Sequence, residues 1–251
     1  MIKLAVITSK GGTGKTTTAV NLGHGLALSG KRVILIDCDP HGDLGLVFGV
    51  EGEKSLSDLL RSGKTSVSQV RENLFLITSG GRKLSETELA IAGRDGREFI
   101  LRNALSDLRN VDFLICDCAP SRNLININAL TLVDRVIIPV SMDYLAMNGA
   151  RHTIELMREI KRFTRVETEL LGILATQYDV RTNLSAEIYR VLVSHFPNKV
   201  FDTVIRVNTR LREAPSFGQT IFEYAINSTG AEDYYNLTHE VLRKTSPVRV
   251  D

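Results

Sequence analysis

The chain has 251 residues, 43% of them hydrophobic, and its 31 Lys+Arg against 29 Asp+Glu leave a net charge of +2. That apolar content excludes a wholly disordered chain, and the near-balanced charge excludes a globally basic nucleic-acid coat while leaving room for a local basic patch. No stretch approaches the ~20 apolar residues of a membrane-spanning helix, and the opening M-I-K-L-A-V-I-T is too short for a secretory h-region and lacks a small-residue cleavage site, so a soluble, cytoplasmic protein with no membrane partner is expected.

Short β-branched runs alternate with longer helical patterns. Strands are expected at 3–8, 32–37, 74–78, 112–117, 135–140 and 170–176. Helices are expected at 15–29, 96–108, 124–132, 146–163, 185–195 and 231–242. Several strands read as unbroken apolar segments, V-I-L-I and F-L-I-C among them, as parallel strands buried on both faces do. The alternation predicts an α/β fold, a doubly wound, mostly parallel sheet flanked by helices with right-handed crossovers. The polar stretch 51–68 is expected to be a short helix and loop. With no long Pro/Ser linker and no repeat, residues 1–251 read as one domain. Cys38, Cys116 and Cys118 lie in apolar runs and are expected to be buried, reduced thiols. Strand alternation puts Cys116 and Cys118 on one face, and no second Cys/His pair completes a tetrahedral metal site.

The strongest signal follows the first strand. G-G-T-G-K-T-T at 11–17 precedes an amphipathic helix, and Gly14-Lys15-Thr16 ends a Walker A pattern. Glycines turn the backbone tightly and aim successive N–H groups at phosphate oxygens. The helix N-terminus adds its dipole. Lys15 would neutralise the β/γ-phosphates of ATP and the Thr16 hydroxyl would ligate Mg²⁺. The pattern departs from the standard loop in two places: Ser9 stands where the first glycine belongs, and a second lysine, Lys10, precedes the glycines.

K-G-G-T-G-K-T is the deviant Walker A motif, and with it the sequence resembles the ParA/MinD family of dimerising P-loop ATPases. In that family the early lysine reaches across a nucleotide-sandwich dimer to the partner's phosphates, as arginine fingers do elsewhere. The resemblance therefore implies a homodimer formed with ATP, ATP-binding residues Lys10, Gly11, Gly12, Thr13, Gly14, Lys15, Thr16 and Thr17, and catalytic roles for Lys10 and Lys15.

Two acidic clusters complete the phosphate site. Asp37-Cys38-Asp39-Pro40 ends the second strand, and ligands bind beyond the C-terminal ends of parallel strands. The resemblance assigns the water-positioning, catalytic role to Asp39, with contact to the metal, and places Asp37 nearer the strand and Mg²⁺. The family's usual Gln-Gly-Asn continuation is His41-Gly42-Asp43 here, which brings an extra acid. Phe113-Leu114-Ile115-Cys116-Asp117 is a Walker B pattern in which Asp117 would hold Mg²⁺ through water. Residues 118–123 are expected to sense the γ-phosphate, with Ala119 in place of a usual proline.

The resemblance runs on through T-Q-Y-D-V-R-T-N-L-S at 176–185 and V-N-T-R-L-R-E-A-P-S-F-G-Q-T-I at 207–221, and is to small chromosomal-type, Soj-like ParA proteins. Asn208 matches the segment that supplies adenine contacts, although Arg206 replaces a usual proline. A MinD-like membrane ATPase would need a C-terminal amphipathic helix, which 242–251 does not offer. A nitrogenase-type iron protein would need cysteines that bridge subunits. Plasmid-type relatives carry an N-terminal helix-turn-helix, whereas this chain begins at its first strand. A metabolic P-loop enzyme would fit the loop but not R-L-R-E-A-P-S-F-G. For non-specific DNA the resemblance ranks Arg210 first, with Arg206, Arg212 and Lys199 behind it and Arg243 and Lys244 near the end. Phosphate contacts of this kind need only cations. The implied function is an ATPase that positions DNA: Mg-ATP drives dimerisation and DNA binding on the nucleoid, and hydrolysis stimulated by a ParB-type centromere-binding partner releases it. The alternatives are a metabolic P-loop ATPase with a small-molecule substrate and an ATPase that positions a protein cargo on the nucleoid.

Overall fold

The computed structural model describes residues 1–51, 53–143 and 146–246; residues 247–251 of the tail read above lie outside them. In chain order the elements are β1 (Ile2–Val6), α1 (Lys15–Leu28), β2 (Val33–Cys38), α2 (Asp43–Phe48), α3 (Leu56–Ser62), β3 (Ser68–Arg71), β4 (Leu74–Ile77), α4 (Arg82–Ile91) and α5 (Ile100–Ala104). There follow β5 (Phe113–Cys118), α6 (Leu124–Leu132), β6 (Arg135–Ser141), α7 (Ala146–Thr164), β7 (Glu169–Tyr178) and α8 (Asn183–His195). The last are β8 (Val200–Arg206), α9 (Arg210–Glu213), α10 (Ile221–Tyr224) and α11 (Thr229–Thr245).

Among the described residues the strands form one eight-stranded sheet in the order β3-β4-β2-β5-β1-β6-β7-β8. Every pairing is parallel except β3 with β4. Successive side chains of a strand face opposite ways, and the core divides accordingly. On one face Ala5, Ile34, Ile36, Leu114 and Ile138 pack with Leu59, Leu84, Ile125 and Leu192. On the other, Leu4, Val6, Leu35, Ile115 and Leu174 pack with Leu22, Leu26, Leu211 and Leu237. Helices thus cover both faces, and β1, β2 and β5 lie in the middle, buried along nearly their whole length. All three cysteines are buried and free, on the same face of the sheet. Among the described residues no helix is long and apolar enough to cross a membrane.

Two departures from the sequence reading stand out. The expected helix at 96–108 is broken into a 3₁₀ turn at Arg97–Phe99 and the short α5. Side chains of α6 compete for its backbone: Leu101 N–H donates to Asn128 Oδ1, Asn128 Nδ2 donates to the Arg97 carbonyl, and Thr131 Oγ1 donates to the Glu98 carbonyl. The edge strands β3 and β8 were not expected. Asp202 and Thr203 interrupt the apolar run of β8, and its backbone amides there are taken by Glu240 of α11 at 3.0 and 2.9 Å. The stretch 51–68 does hold a short helix, α3, started by a capping box in which Ser55 N–H donates to Asp58 Oδ2 at 2.9 Å.

Candidate nucleotide site

Residues 7–14 turn from β1 into α1. Gly12 and Gly14 have φ of 72° and 83° there, left-handed values that a Cβ would strain. Among the described residues, chain neighbours aside, no heavy atom lies within 4 Å of a Cβ built at Gly11, Gly12 or Gly14, so conformation rather than crowding calls for glycine at the latter two. Gly14 precedes the first turn of α1, whose N–H groups receive no side-chain cap. Such a turn is a ready anion site. The end of β7 braces the loop from the side. Thr176 Oγ1 donates to the Thr13 carbonyl at 2.8 Å, and Gln177 Nε2 donates to the Gly12 carbonyl at 2.6 Å. Gln177 has a φ of 53°, a strained value for a residue with a side chain. Sequence reading missed both braces, because nothing local in T-Q-Y signals a partner 163 or 165 residues away.

Sheet order assembles the acids. Asp117 is the register partner of Val6 on one side and of Asp37 on the other. Two buried carboxylates side by side repel, and burial reinforces the effect. Asp37 is pushed well above the usual carboxylate range, first by burial and then by Asp117. Asp117 is pushed up to about 7 by burial, although the neighbouring Thr16 hydroxyl and Lys15 charge pull it down. Their environments differ in one decisive respect. Asp37 accepts from Asp39 N–H at 3.1 Å and Leu44 N–H at 3.2 Å, so it braces the loop into α2. Among the described residues neither oxygen of Asp117 meets a partner at hydrogen-bond geometry. Of the two neighbours Asp117 is the carboxylate left for a cation, with Asp37 beside it across the sheet. A buried carboxylate with only a neighbouring hydroxyl and a lysine charge to offset it is costly unless a cation meets it, and the site therefore fits Mg²⁺. Asp117 and Thr16 would hold the ion, which neutralises developing phosphate charge when bound. Among the described residues no three His, Cys, Asp or Glu side chains form a metal cage, so phosphate oxygens and water would complete the shell.

Lys15 is buried, and its Nζ donates to the Lys10 carbonyl at 3.2 Å. Burial lowers its pKa, against the raising effect of Asp117 and Asp39. Asp39 is nearly buried and accepts from the His41 backbone N–H at 3.0 Å and from His41 Nδ1–H at 2.7 Å. That hydrogen bond, and the charge behind it, hold the exposed His41 imidazole above its usual range. Asp43 opens α2, exposed at its N-terminus. Lys10 points elsewhere: its Nζ meets Asp143 Oδ2 at 2.5 Å and Ser141 Oγ at 3.4 Å, at the end of β6.

The raised Asp117 pKa predicts a stability effect with a definite sign. A carboxyl whose folded pKa exceeds its unfolded value of about 3.8 contributes stability below that value, which is lost as pH rises toward about 7. Asp117→Asn should therefore melt higher than wild type at pH 8 without nucleotide, by at most ~4 kcal/mol, with the gap closing by pH 4. Thermal melts across that range check this; equal melting temperatures at pH 8 would contradict it.

The remaining candidates do not form one patch. Asn208 donates through Nδ2 to Thr229 Oγ1 at 2.8 Å and accepts from Arg210 N–H, beside an open cleft lined also by Tyr178, Asp179 and Arg206. Arg210 is 57% exposed, pairs with Glu213 at 3.0 Å and lies over the Tyr224 ring. Arg212 is exposed nearby on α9. Lys199 precedes β8 and faces Glu169 at 3.9 Å, a strand's length, about 20 Å, from Arg210. Arg243 pairs with Asp202 at that same far end, and Lys244 with Glu240. Arg206 is bound into the fold through Asp233, whose side chain is 6% exposed, and through Glu232. Lys199 and Arg210 thus stand at opposite ends of β8, although they are near in sequence, and the Arg206 guanidinium is engaged by Asp233 and Glu232.

Comparison with known proteins bears on this geometry. The AAA domain family matches residues 1–170. The sporulation initiation inhibitor protein Soj of Bacillus subtilis is 38% identical over 246 residues, covering 95% of this chain and 97% of that one. A variant of McdA from Cyanothece, in complex with ATP, superposes with a TM-score of 0.86 at 25% identity, covering 99% of each chain. Cobyrinic acid a,c-diamide synthase from Mycobacterium smegmatis, with bound ADP and magnesium, superposes with a TM-score of 0.83 at 28% identity, covering 97% of this chain and 94% of that one.

Proposed function

Because the chain belongs to the ParA/Soj family of partitioning P-loop ATPases, we propose that Mg-ATP closes two copies of it into a sandwich dimer that holds DNA without sequence preference. It binds and hydrolyses ATP with Mg²⁺. The observation that carries the dimer is the division of labour between two lysines. Lys15 is buried beneath the glycine loop, whereas Lys10 lies at the rim, part exposed and held to Asp143 rather than turned into its own loop. A rim cation serves phosphates that arrive on a facing surface. Asp39, nearly buried beside Asp37 and Lys15, would orient the attacking water. Hydrolysis would dissolve the dimer and release DNA, with a ParB-type partner as the stimulus and the cytoplasm and nucleoid as the location.

DNA contact is proposed for Arg210 and Arg212, the exposed cations on α9. Its ion pair with Glu213 does not remove Arg210 from use, since such exposed pairs are worth only about 0–1 kcal/mol and a DNA phosphate can replace Glu213. Arg210→Ala should weaken ATP-dependent binding to arbitrary duplex DNA about tenfold with ATP affinity intact. Wild-type binding should fall steeply with salt. Filter retention on unrelated duplexes across a salt series checks both. Absence of ATP-dependent retention would favour a small-molecule enzyme of the kind that the diamide synthase exemplifies. Salt-insensitive or sequence-selective binding would also contradict the proposal.

A further inference from the structure

The ends of β7 and β8 enclose an open cleft of about 580 Å³ lined by Tyr178, Asp179, Arg206, Asn208 and Thr229 among others. That is within the usual range for ligand pockets, roughly 300–1,000 Å³. The cleft begins one residue beyond Gln177, whose amide holds the Gly12 carbonyl of the phosphate loop. A ligand with its phosphates on that loop therefore has this cleft beside it, at the C-terminal ends of parallel strands.

Arg206 ends β8 at the cleft wall. Its backbone N–H donates to Asp233 Oδ2 at 2.8 Å, its Nε to Asp233 Oδ1 at 2.9 Å, and one terminal nitrogen to Asp233 Oδ1 at 2.6 Å and Glu232 Oε2 at 2.5 Å. The same nitrogen reaches the Thr229 carbonyl at 3.4 Å, and Asn208 Nδ2 donates to the Thr229 hydroxyl. Every one of these acceptors lies in the first five residues of α11. One residue further along α11, the buried Tyr234 hydroxyl meets Thr18 Oγ1 of α1 at 3.2 Å. A single helix thus contacts both the cleft loop and the helix that starts at Lys15.

We propose that Arg206 is a positioning residue for the nucleobase: its fork on Asp233 and Glu232 fixes residues 206–209 against α11 and shapes the cleft before the nucleotide arrives. The inference rests on the phosphate-site reading above. Bidentate guanidinium–carboxylate pairing supplies the fixed geometry, and a loop already ordered loses less conformational freedom when a ligand binds. Among the described residues Arg206 hydrogen-bonds to α11 and not to the phosphate loop, so its direct effect falls on the base end of the ligand.

Arg206→Ala by itself strands the nearly buried Asp233 charge and endangers the fold, so the double variant Arg206→Ala/Asp233→Asn is the working test. Calorimetry compares Mg-ATP with Mg-tripolyphosphate, which has the phosphates and no base. The expected result is an ATP Kd raised about tenfold or more, with tripolyphosphate within about twofold of wild type. In turnover assays KM for ATP should rise by more than kcat falls. Equal weakening toward both ligands, or an unchanged ATP Kd in either variant, overturns the proposal. Wild-type protein that binds neither ligand would overturn the phosphate-site reading, and this inference with it.

Discussion

Replacing Lys15 by alanine is expected to raise the Kd for Mg-ATP at least ~100-fold, near 3 kcal/mol. The size follows from where the lysine sits. Lys15 opens α1 directly after a loop whose glycines hold left-handed conformations, and it is the buried cation facing Asp39 and Asp117. A triphosphate brings several negative charges to a place that already holds buried carboxylates. Within one subunit lacking Lys15, backbone N–H groups and Mg²⁺ would be left to oppose that charge. Burial strengthens the loss, since charge-assisted hydrogen bonds gain when water is excluded. Titration with a fluorescent ATP analogue measures it. Affinity within a few-fold of wild type would mean that the phosphates bind elsewhere.

Lys10→Ala should behave differently, and the contrast is the sharper test of the sandwich. Monomer affinity for ATP should stay within about threefold, because Lys10 is held by Asp143 and Ser141 and not by its own loop. Stimulated hydrolysis should fall by roughly 10³, as loss of a trans cation does in other nucleotidases. The Lys10–Asp143 pair is part exposed on both sides, at 30% and 46%. Such a pair is worth only about 1 kcal/mol or less, so the phosphates of a facing subunit can take the lysine over. Gly11 has open space around it, and Gly11→Val should block closure by bulk. Light scattering after size exclusion, on an Asp39→Ala background that slows hydrolysis, reads the oligomer in ATP and in ADP. A monomer in saturating Mg-ATP, or equal dimer in both nucleotides, would remove the sandwich and leave a nucleotide-binding monomer.

What could be read from the residues alone was what short-range physics encodes. G-G-T-G-K-T-T between an apolar run and a helical pattern reads as a strand, a tight glycine turn and a helix N-terminus. Gly12, Gly14 and α1 adopt it. The apolar runs before Asp37 and Asp117 likewise predict central parallel strands, because both their faces must be buried. Distant contacts decided the rest. Only the order β2-β5-β1 sets Asp117 against Asp37, and only the backbone N–H groups that Asp37 accepts show which of the two carboxylates is left for a cation. Asn128 breaks a helix from another element, and Gln177 reaches the phosphate loop from more than a hundred residues away. Arg206 reads as one more surface cation beside Arg210. The fold gives it to Asp233 and Glu232, because a charge at a strand end is spoken for by whichever helix packs there, and that helix is chosen by sheet order and burial rather than by neighbours in sequence.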